Sequence, residues 1–378
     1  MVNHPSPASG QADQPSGRRG VIDLGPEDPR WGDFVAGHPD ALPYHHPAWS
    51  QVLRETFGYR LATLGCTDAT GRLTGVLPLA EKKSLLARGH LSSLPNTPTA
   101  GPLAFDRASL GALLSGAAAR VDDSGVSWLQ LKVEGPALDG LARGFTGGIW
   151  VPSYVVDLPA DPEQLRFGGS RHNSHRNAGI RRNVRQAARL GVAVREASSF
   201  GDVRRWYQLY LVNMRTHRLP PRPLRLFEAI WDILTPLGLA RWLLAERSSG
   251  GSTQMLAGNL FLAHNSRVVA AFSGRDPTQP EFRPNDAIHW SAMNEACRAG
   301  HRLYDFGEVI RENEGLARFK RKWGAVPVDL YRYHYPRHRE PERGVLAPGP
   351  FLRCAQWTWR RLPLPVTAAL GGLIYGRL

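Results

Sequence analysis

The stretch Asn313-Glu-Gly-Leu-Ala-Arg-Phe-Lys-Arg-Lys-Trp-Gly324 places large apolar side chains within a strongly basic run. If this stretch is helical, Leu316, Phe319 and Trp323 follow the spacing i, i+3, i+7 and are expected to face inward. Lys320, four residues after Leu316, then borders that apolar face. A cation at the edge of a cleft can stabilise an oxyanion or a phosphate, but a lysine on an ordinary amphipathic helix simply extends along the surface. Spacing alone leaves both interpretations of Lys320 open.

Helical and extended patterns alternate along the rest of the second half of the chain. Apolar residues with a period near 3.6 predict helices at residues 173–190, 203–214, 223–234 and 285–299, the last capped by Asn285 or Asp286. Short apolar runs predict strands at residues 192–195, 240–246, 255–262, 268–273, 302–307 and 326–333. Hairpins mixed with helices, without strict βαβ alternation, predict an α/β (α+β) fold with mixed sheets.

The first half repeats this pattern over a shorter length. It is predicted to contain a helix at 46–57, a hairpin at 59–79, a helix at 107–121 and strands at 127–133 and 150–158. The hairpins at 59–79 and 240–263 share their order, their length and an interior glycine, Gly75 or Gly258. We therefore expect two similar tandem lobes rather than one sheet.

These patterns divide the chain into four parts. The expected lobes are residues 21–158 and residues 159–336. Residues 1–20 are rich in Pro, Ser and Gly and are predicted to be a disordered tail, and residues 337–378 form a basic aromatic C-terminal tail.

The chain of 378 residues has a net charge of +14, which favours an anionic partner such as RNA, a phosphate-bearing substrate or a membrane face. An arginine-rich composition on an ordinary surface would give the same charge. Cys66, Cys297 and Cys354 follow neither a disulfide nor a zinc pattern, so we expect no metal site and a reducing compartment. Since the sequence shows neither an apolar signal segment nor a run of ~18–20 apolar residues, the expected location is cytoplasmic.

Two basic segments are candidates for contacting an anionic partner. Residues 166–189 contain seven Arg and no acid, and Arg182, Arg185 and Arg189 would share one helical face. Guanidinium groups suit phosphates, although such faces are commonly just solvated. Residues 351–378 contain four Arg, no acid and two Trp, which suits either a membrane interface or packing on the second lobe.

Four motifs resemble those of the Fem-type peptidoglycan aminoacyltransferases and their GNAT-like relatives. They are Arg176-Asn-Ala-Gly-Ile-Arg-Arg-Asn-Val-Arg-Gln-Ala-Ala-Arg-Leu-Gly-Val192, Tyr207-Gln-Leu-Tyr-Leu-Val-Asn-Met-Arg-Thr-His-Arg218, Asp305-Phe-Gly307 and the stretch at 313–324. The resemblance covers residues 46–335 and implies two packed GNAT-like lobes. It also implies transfer of an acyl or aminoacyl group to an amine, with Lys320 matching a family lysine that stabilises the oxyanion.

A general base for the attacking amine is expected among the polar groups near strand and helix ends. Asp305 and Glu308 flank the end of a predicted strand, and Asp286 and His289 stand at a helix start. The candidates for substrate binding are Arg176, Arg182, Arg185, Arg189, Arg318, Tyr207 and Asn285.

The resemblance implies an aminoacyl-tRNA or acyl-CoA donor and no tightly bound cofactor. The Gln/Arg-x-x-Gly-x-Gly/Ala turn that holds CoA pyrophosphate in many GNAT enzymes is missing from residues 273–286. The leading hypothesis is a transferase that acylates an amine of a phosphate-bearing cell-envelope precursor, lipid-linked or not, with tRNA as a further partner. The alternatives are an acyl-CoA-dependent N-acyltransferase of polysaccharide or lipid synthesis, and an RNA- or membrane-binding module that kept only the fold.

Overall fold

A computed structural model describes residues 19–82, 89–141, 143–165, 174–336 and 361–377. Most of the predicted N-terminal tail, and the part of the C-terminal tail that holds Trp357 and Trp359, lie outside these residues. No described helix is both long enough and apolar enough to cross a bilayer.

The described residues form nine α-helices and fifteen strands. The helices are α1 Pro29–Gly37, α2 Pro47–Phe57, α3 Arg107–Ser124, α4 Ser174–Arg189, α5 Phe200–Thr216, α6 Leu224–Ile233, α7 Pro284–Arg298, α8 Glu314–Lys322 and α9 Leu364–Arg377. The strands are β1 Gly20–Asp23, β2 Arg60–Leu61, β3 Leu64–Thr67, β4 Leu73–Leu77, β5 Ala80–Lys82, β6 His90–Ser92, β7 Leu103–Ala104, β8 Leu129–Glu134, β9 Thr146–Asp157, β10 Val192–Glu196, β11 Ala240–Ser249, β12 Ser252–His264, β13 Arg267–Arg275, β14 Leu303–Glu308 and β15 Val326–Tyr335.

One large mixed sheet runs through both halves of the chain. Its order is β10-β11-β12-β13-β14-β9-β15-β8-β6-β5-β2, and β1-β3-β4-β7 form a second, smaller sheet. One sheet therefore spans both expected lobes, and the expectation that excluded a single sheet is wrong. Strand β9, which belongs to the first half, pairs with β14 on one side and with β15 on the other, while β15 also pairs with β8. Pairing between strands so far apart in sequence cannot be predicted from local sequence patterns.

Both predicted hairpins are confirmed, and each packs closely against a helix. Strands β3 and β4 pair in the first half, and β11 and β12 pair in the second. A methyl group added at Gly75 would lie 2.9 Å from Leu113 of α3, and one at Gly258 would lie 2.5 Å from Trp206 of α5. Each glycine therefore allows a helix to approach its hairpin, which gives the two halves a common packing unit.

A shared hydrophobic core joins the two halves. Leu53 of α2 and Ile230 of α6 belong to one cluster of buried residues, and Trp206 and Trp242 are fully buried in it. Helices α2 and α6 pack on each other. The halves consequently behave as one packed body around the cleft described below.

Two local predictions in the second half are wrong. Leu316 is 38% exposed, whereas Ala317 and Lys320 are the buried residues of α8. Helix α8 ends at Lys322 with Trp323 as its C-cap, and Trp323 is fully buried, as predicted. Helix α7 begins at Pro284 after a left-handed Arg283 rather than at a cap formed by Asn285 or Asp286, because proline suits the first helical position.

Candidate active site

The parallel strands β13 and β14 begin as a pair and then separate. Their register joins Arg267 to Leu303 and Val269 to Asp305. Beyond Asp305, the pairing of β14 with β9 is irregular, and Gly307 takes a φ of +81°, in the region that favours glycine. Residues 269–272 of β13 and 305–308 of β14 consequently line a cleft of about 380 Å³.

The first half of the chain supplies most of the other walls of this cleft. They are formed by Leu42, Tyr44 and Trp49 near the start of α2, by the loop at residues 96–99, and by Glu134 of β8 and Trp150 and Ser153 of β9. Leu330 and Arg332 of β15 and Arg222, before α6, complete the lining. The cleft therefore exists only where the two halves meet.

The two carboxylates of β14 have different surroundings in the cleft. Asp305 is buried, and its Oδ1 accepts hydrogen bonds from Ser153 Oγ at 2.6 Å and from the Gly307 amide at 2.7 Å. Arg267 Nη1 lies 3.5 Å from Asp305 Oδ2. Glu308 is 32% exposed, and its Oε1 accepts from Arg332 Nη2 at 3.2 Å. Glu308 is therefore the carboxylate that a substrate can reach, while Asp305 is held inside the wall.

Lys320 lies behind β14, and its side chain is not part of the cleft lining. Its Nζ donates to Gly307 O at 2.8 Å and to Glu308 O at 3.2 Å. Burial lowers the pKa of Lys320 to about 8, although the charges of Asp305 and Glu308 act to raise it. The lysine thus fixes the two residues at the end of β14 through their backbone carbonyls.

A second buried lysine holds the opposite wall. Lys132 Nζ donates to Leu94 O at 2.8 Å and to Thr97 O at 3.1 Å, in a loop where Leu94 and Asn96 both have positive φ. Burial lowers the pKa of Lys132 well below its ordinary value, and the charge of Arg332 acts in the same direction. Because non-glycine residues resist this backbone conformation, the two hydrogen bonds help to hold the loop in place.

Arg222 is a cation of the cleft wall that sequence reasoning missed. Its guanidinium lies 3.8 Å from the centre of the Tyr375 ring. Its Nη1 is buried and has no hydrogen-bond partner within the part of the chain that the structure describes. A buried charged donor without a partner is costly, so this nitrogen is suited to an anionic group that enters the cleft.

Residues 174–321 match the family model described as an acetyltransferase (GNAT) domain. The chain is also similar to the crystal structure of FemX, with a TM-score of 0.68, 16% identity, and coverage of 83% of this chain and 96% of that chain. Residues 174–321 therefore resemble a GNAT domain, and the chain as a whole shares the fold of FemX. This confirms the resemblance and the tandem GNAT fold predicted from the sequence.

Two further solved structures share the fold of this chain. The C-terminal domain of a putative lysylphosphatidylglycerol synthetase from Agrobacterium fabrum has a TM-score of 0.55 and 13% identity, covering 81% of this chain and 90% of that chain. A tandem GNAT protein from the clavulanic acid biosynthesis pathway has a TM-score of 0.50 and 13% identity, covering 86% of this chain and 100% of that chain. No curated protein sequence matches the chain.

The structure brings only part of the predicted site together. Asp305 and Glu308 line the cleft, and Lys320 supports it through backbone carbonyls. The other predicted residues whose side chains are described do not line the cleft; they are Arg182, Arg185, Arg189, Arg318, Tyr207 and Asn285. The side chain of Arg176 lies outside the described part of the structure.

The residues away from the cleft have other surroundings. Arg182, Arg185 and Arg189 form an exposed face of α4, and Arg318 is exposed on α8. Tyr207 is a core residue whose hydroxyl donates to Arg222 O at 2.9 Å, and burial raises its pKa to about 12. Its spacing places it on the apolar face of α5, and such a face normally packs against the core.

The other two candidates for the base do not reach the cleft. Asp286 accepts from Lys322 Nζ at 2.5 Å and from Asn183 Nδ2 at 2.9 Å, which ties α7 to α8 and α4. His289 is buried, its Nδ1 lies 2.7 Å from Tyr304 Oη, and burial lowers its pKa to about 3. Neither lines the cleft. Among the described residues, no cluster of His, Cys, Asp and Glu is arranged to hold a metal ion.

Proposed function

We propose that this GNAT protein transfers an acyl or aminoacyl group to an amine of a cell-envelope precursor, and that the reaction takes place in the cleft between β13 and β14. The observation that carries the proposal is the accessible carboxylate of Glu308, supported by Arg332 and by the Lys320 contact to its backbone. A carboxylate held in this way at the rim of a transferase cleft is suited to general-base catalysis.

The reaction requires two proton transfers: one from the attacking amine and one to the departing group. As the amine nitrogen forms a bond to the donor carbonyl carbon, Glu308 accepts a proton from that nitrogen, directly or through one water. The bond from the carbon to the donor sulfur or oxygen then breaks. The departing thiolate or alkoxide takes up the proton. Alignment of amine and donor in one cleft supplies much of the rate gain, and no covalent enzyme intermediate is required.

Asp305 and Lys320 act as positioning residues in this account. Asp305 joins Ser153 of β9 to the amide of Gly307, and Lys320 joins the carbonyls of Gly307 and Glu308 to α8. These contacts fix the irregular end of β14, so that Glu308 keeps one position.

Arg222 is the cleft residue that we assign to an anionic group of the substrate. Its unpartnered Nη1 would form a charge-assisted hydrogen bond to a phosphate or carboxylate oxygen. A phosphate-bearing envelope precursor supplies such a group. The neighbour named as a lysylphosphatidylglycerol synthetase domain supports an acceptor of the cell envelope.

An acyl-CoA donor is typical of the GNAT fold, and it is the donor that we expect first. The fold match to a tandem GNAT protein described without AcCoA supports this choice. An aminoacyl-tRNA donor follows from the Fem-type resemblance, and the exposed arginines of α4 are then available for its phosphates. Envelope-linked peptide or lipid acceptors are compatible with either donor.

Replacement of Glu308 by Gln tests the proposal, because the amide keeps the size of the side chain but cannot accept the proton. We expect kcat to fall by about 10²-fold or more with a much smaller change in KM. Glu312→Gln is the matched control, since Glu312 is exposed and does not line the cleft. Transfer at the wild-type rate by Glu308→Gln, with the variant folded, would remove Glu308 as the base.

A further inference from the structure

The C-terminal helix α9 packs on the body of the protein that both halves form. Leu364 and Ala368 contact the core cluster that α2, α5 and α6 share, and Thr367 is buried. Of the two alternatives for the tail, packing on the protein therefore describes residues 364–377.

Gly371 brings α9 into direct contact with the segment that carries Arg222. A methyl group added at Gly371 would lie 2.2 Å from the carbonyl oxygen of Pro221, a distance that no side chain can adopt. The neighbouring Gly372 has ordinary space, since a methyl group there would lie 3.7 Å from Pro223 Cβ. The chain therefore needs glycine at 371 for close contact, whereas position 372 tolerates a side chain.

Tyr375, one turn after Gly371, contacts Arg222 itself. Its ring stacks on the guanidinium at 3.8 Å, and its hydroxyl donates to Pro220 O at 3.3 Å. Stacking of this kind fixes the plane of an arginine without occupying its donors. Helix α9 thus fixes the side chain of Arg222 and the backbone just before it.

A second connection runs from α9 to the opposite wall of the cleft. Tyr59 Oη donates to Tyr375 O at 3.5 Å, and Asn96 Nδ2 donates to Tyr59 Oη at 2.6 Å. Asn96 lines the cleft in the loop that Lys132 holds. The end of α9 is therefore linked to cleft residues from both halves of the chain.

We propose that α9 is a positioning element of the cleft, which fixes Arg222 for the anionic group of the substrate through Gly371 and Tyr375. This inference rests on the proposed function, because Arg222 is there the anion-binding residue. The inference concerns the placement of the Arg222 guanidinium, which can be measured with or without a transfer assay.

Two adjacent glycine variants separate this role from general helix stability. Gly371→Ala and Gly372→Ala give the same gain in helix propensity, but only the first collides with Pro221. In the full chain, we expect Gly371→Ala to lower kcat/KM by about tenfold, chiefly through KM, because a small displacement of a binding group is costly. Gly372→Ala should keep wild-type kinetics. Equal effects of the two substitutions would overturn the proposal.

Tyr375 variants test the stacking contact through the same kinetic constants. Tyr375→Phe keeps the ring and should stay close to wild type, whereas Tyr375→Ala should raise KM about as much as Gly371→Ala. In an Arg222→Met background, Tyr375→Ala should add no further loss, since its effect passes through Arg222. A full additional loss in that background would contradict the role assigned to α9.

Chemical modification of Arg222 gives a readout that does not depend on activity. Phenylglyoxal reacts with accessible guanidinium groups, and peptide mass spectrometry reports the rate at Arg222. We expect this rate to rise at least about threefold in Gly371→Ala and Tyr375→Ala, and to stay unchanged in Gly372→Ala and Tyr375→Phe. Wild-type reactivity in the first pair would overturn the proposal. If no donor is ever transferred but the reactivity changes as expected, the proposed function fails and the positioning by α9 stands.

Discussion

The ammonium of Lys320 lies behind the end of β14, and its effect on the reaction passes through Gly307 and Glu308. A lysine in this position combines burial with two backbone acceptors, while the carboxylates of Asp305 and Glu308 stay nearby. The basic run around it, including Arg318 and Arg321, is exposed. The sequence therefore indicated a lysine that borders apolar positions, but it could not indicate which atoms the ammonium would contact.

Replacement of Lys320 by Met separates its catalytic and structural effects. Turnover should fall by about tenfold or more, since the end of β14 loses its support. The pKa of Lys320 is lowered to about 8, so the folded protein binds fewer protons than the unfolded chain between pH 8 and pH 10.5. The free energy of unfolding of the wild type should therefore rise relative to Lys320→Met across this range, by up to about 1.4 kcal/mol per pH unit.

Urea unfolding of both proteins at pH 7, 9 and 10 measures that difference. Below pH 8 the lysine is charged in both states, so the difference between the two proteins should stay constant there. A difference that does not change between pH 8 and pH 10.5 would show that Lys320 is not desolvated in the folded protein. Wild-type turnover in Lys320→Met would remove its positioning role.

Each half of the chain contains a hairpin whose glycine lies under a helix. The periodic spacing of apolar residues predicted these hairpins and helices, because that signal is local. It also indicated the two glycines, and the structure gives their physical reason: α3 lies close to Gly75 and α5 lies close to Gly258. Trp206 Nε1 further donates to Gly258 O at 2.7 Å, which fixes the contact of α5 with β12.

Gly258→Ala should therefore destabilise the protein. Its added methyl group would lie 2.5 Å from Trp206 Cδ1 and 2.7 Å from Leu244 Cδ2, so buried side chains must move. We expect a loss of about 1–3 kcal/mol in the free energy of unfolding. Gly32→Ala is the control, because nothing lies within 4 Å of an added methyl group in α1. Equal stability of the two variants, measured by thermal and urea unfolding, would contradict the close packing of α5.

The large sheet makes the two halves interdependent. Strand β9 lies between β14 and β15, so a boundary at 158/159 would separate it from both neighbours. The cleft depends on the same arrangement, since Trp150 and Ser153 of β9 face Asp305, Glu308 and Arg332 there. Local patterns predicted each of these strands, but not their order, because pairing across the chain depends on tertiary contacts.

A fragment of residues 159–378 should consequently fail to fold alone. Without β8 and β9, strand β14 would present an unpaired edge, and β15 would lose both of its neighbouring strands. We expect this fragment to aggregate or to lack a cooperative thermal transition. Co-expression with residues 1–158 should restore a complex, which gel filtration and circular dichroism would detect. Cooperative unfolding of the isolated fragment would contradict the shared sheet as a requirement for folding.

Some of the cleft could be predicted from the sequence. Asp305 and Glu308 follow a buried strand, and sites of mixed sheets lie at such strand ends. Arg332 was a weaker indication: an arginine within a strand that is otherwise largely apolar requires a buried anionic partner. Arg222 offered none, because its placement depends on α9, which lies far along the chain.

An assay of acyl or aminoacyl transfer tests the proposed function most directly. Purified full-length protein is incubated with acetyl-CoA, longer acyl-CoA or aminoacyl-tRNA, together with amine-bearing peptidoglycan, polysaccharide and lipid precursors. Intact-mass spectrometry then follows each acceptor. We expect one acceptor to gain the mass of the acyl or aminoacyl group with the wild type and with Glu312→Gln, but not with Glu308→Gln. No mass gain on any acceptor, or an equal gain with Glu308→Gln, would contradict acyl transfer in the cleft between β13 and β14.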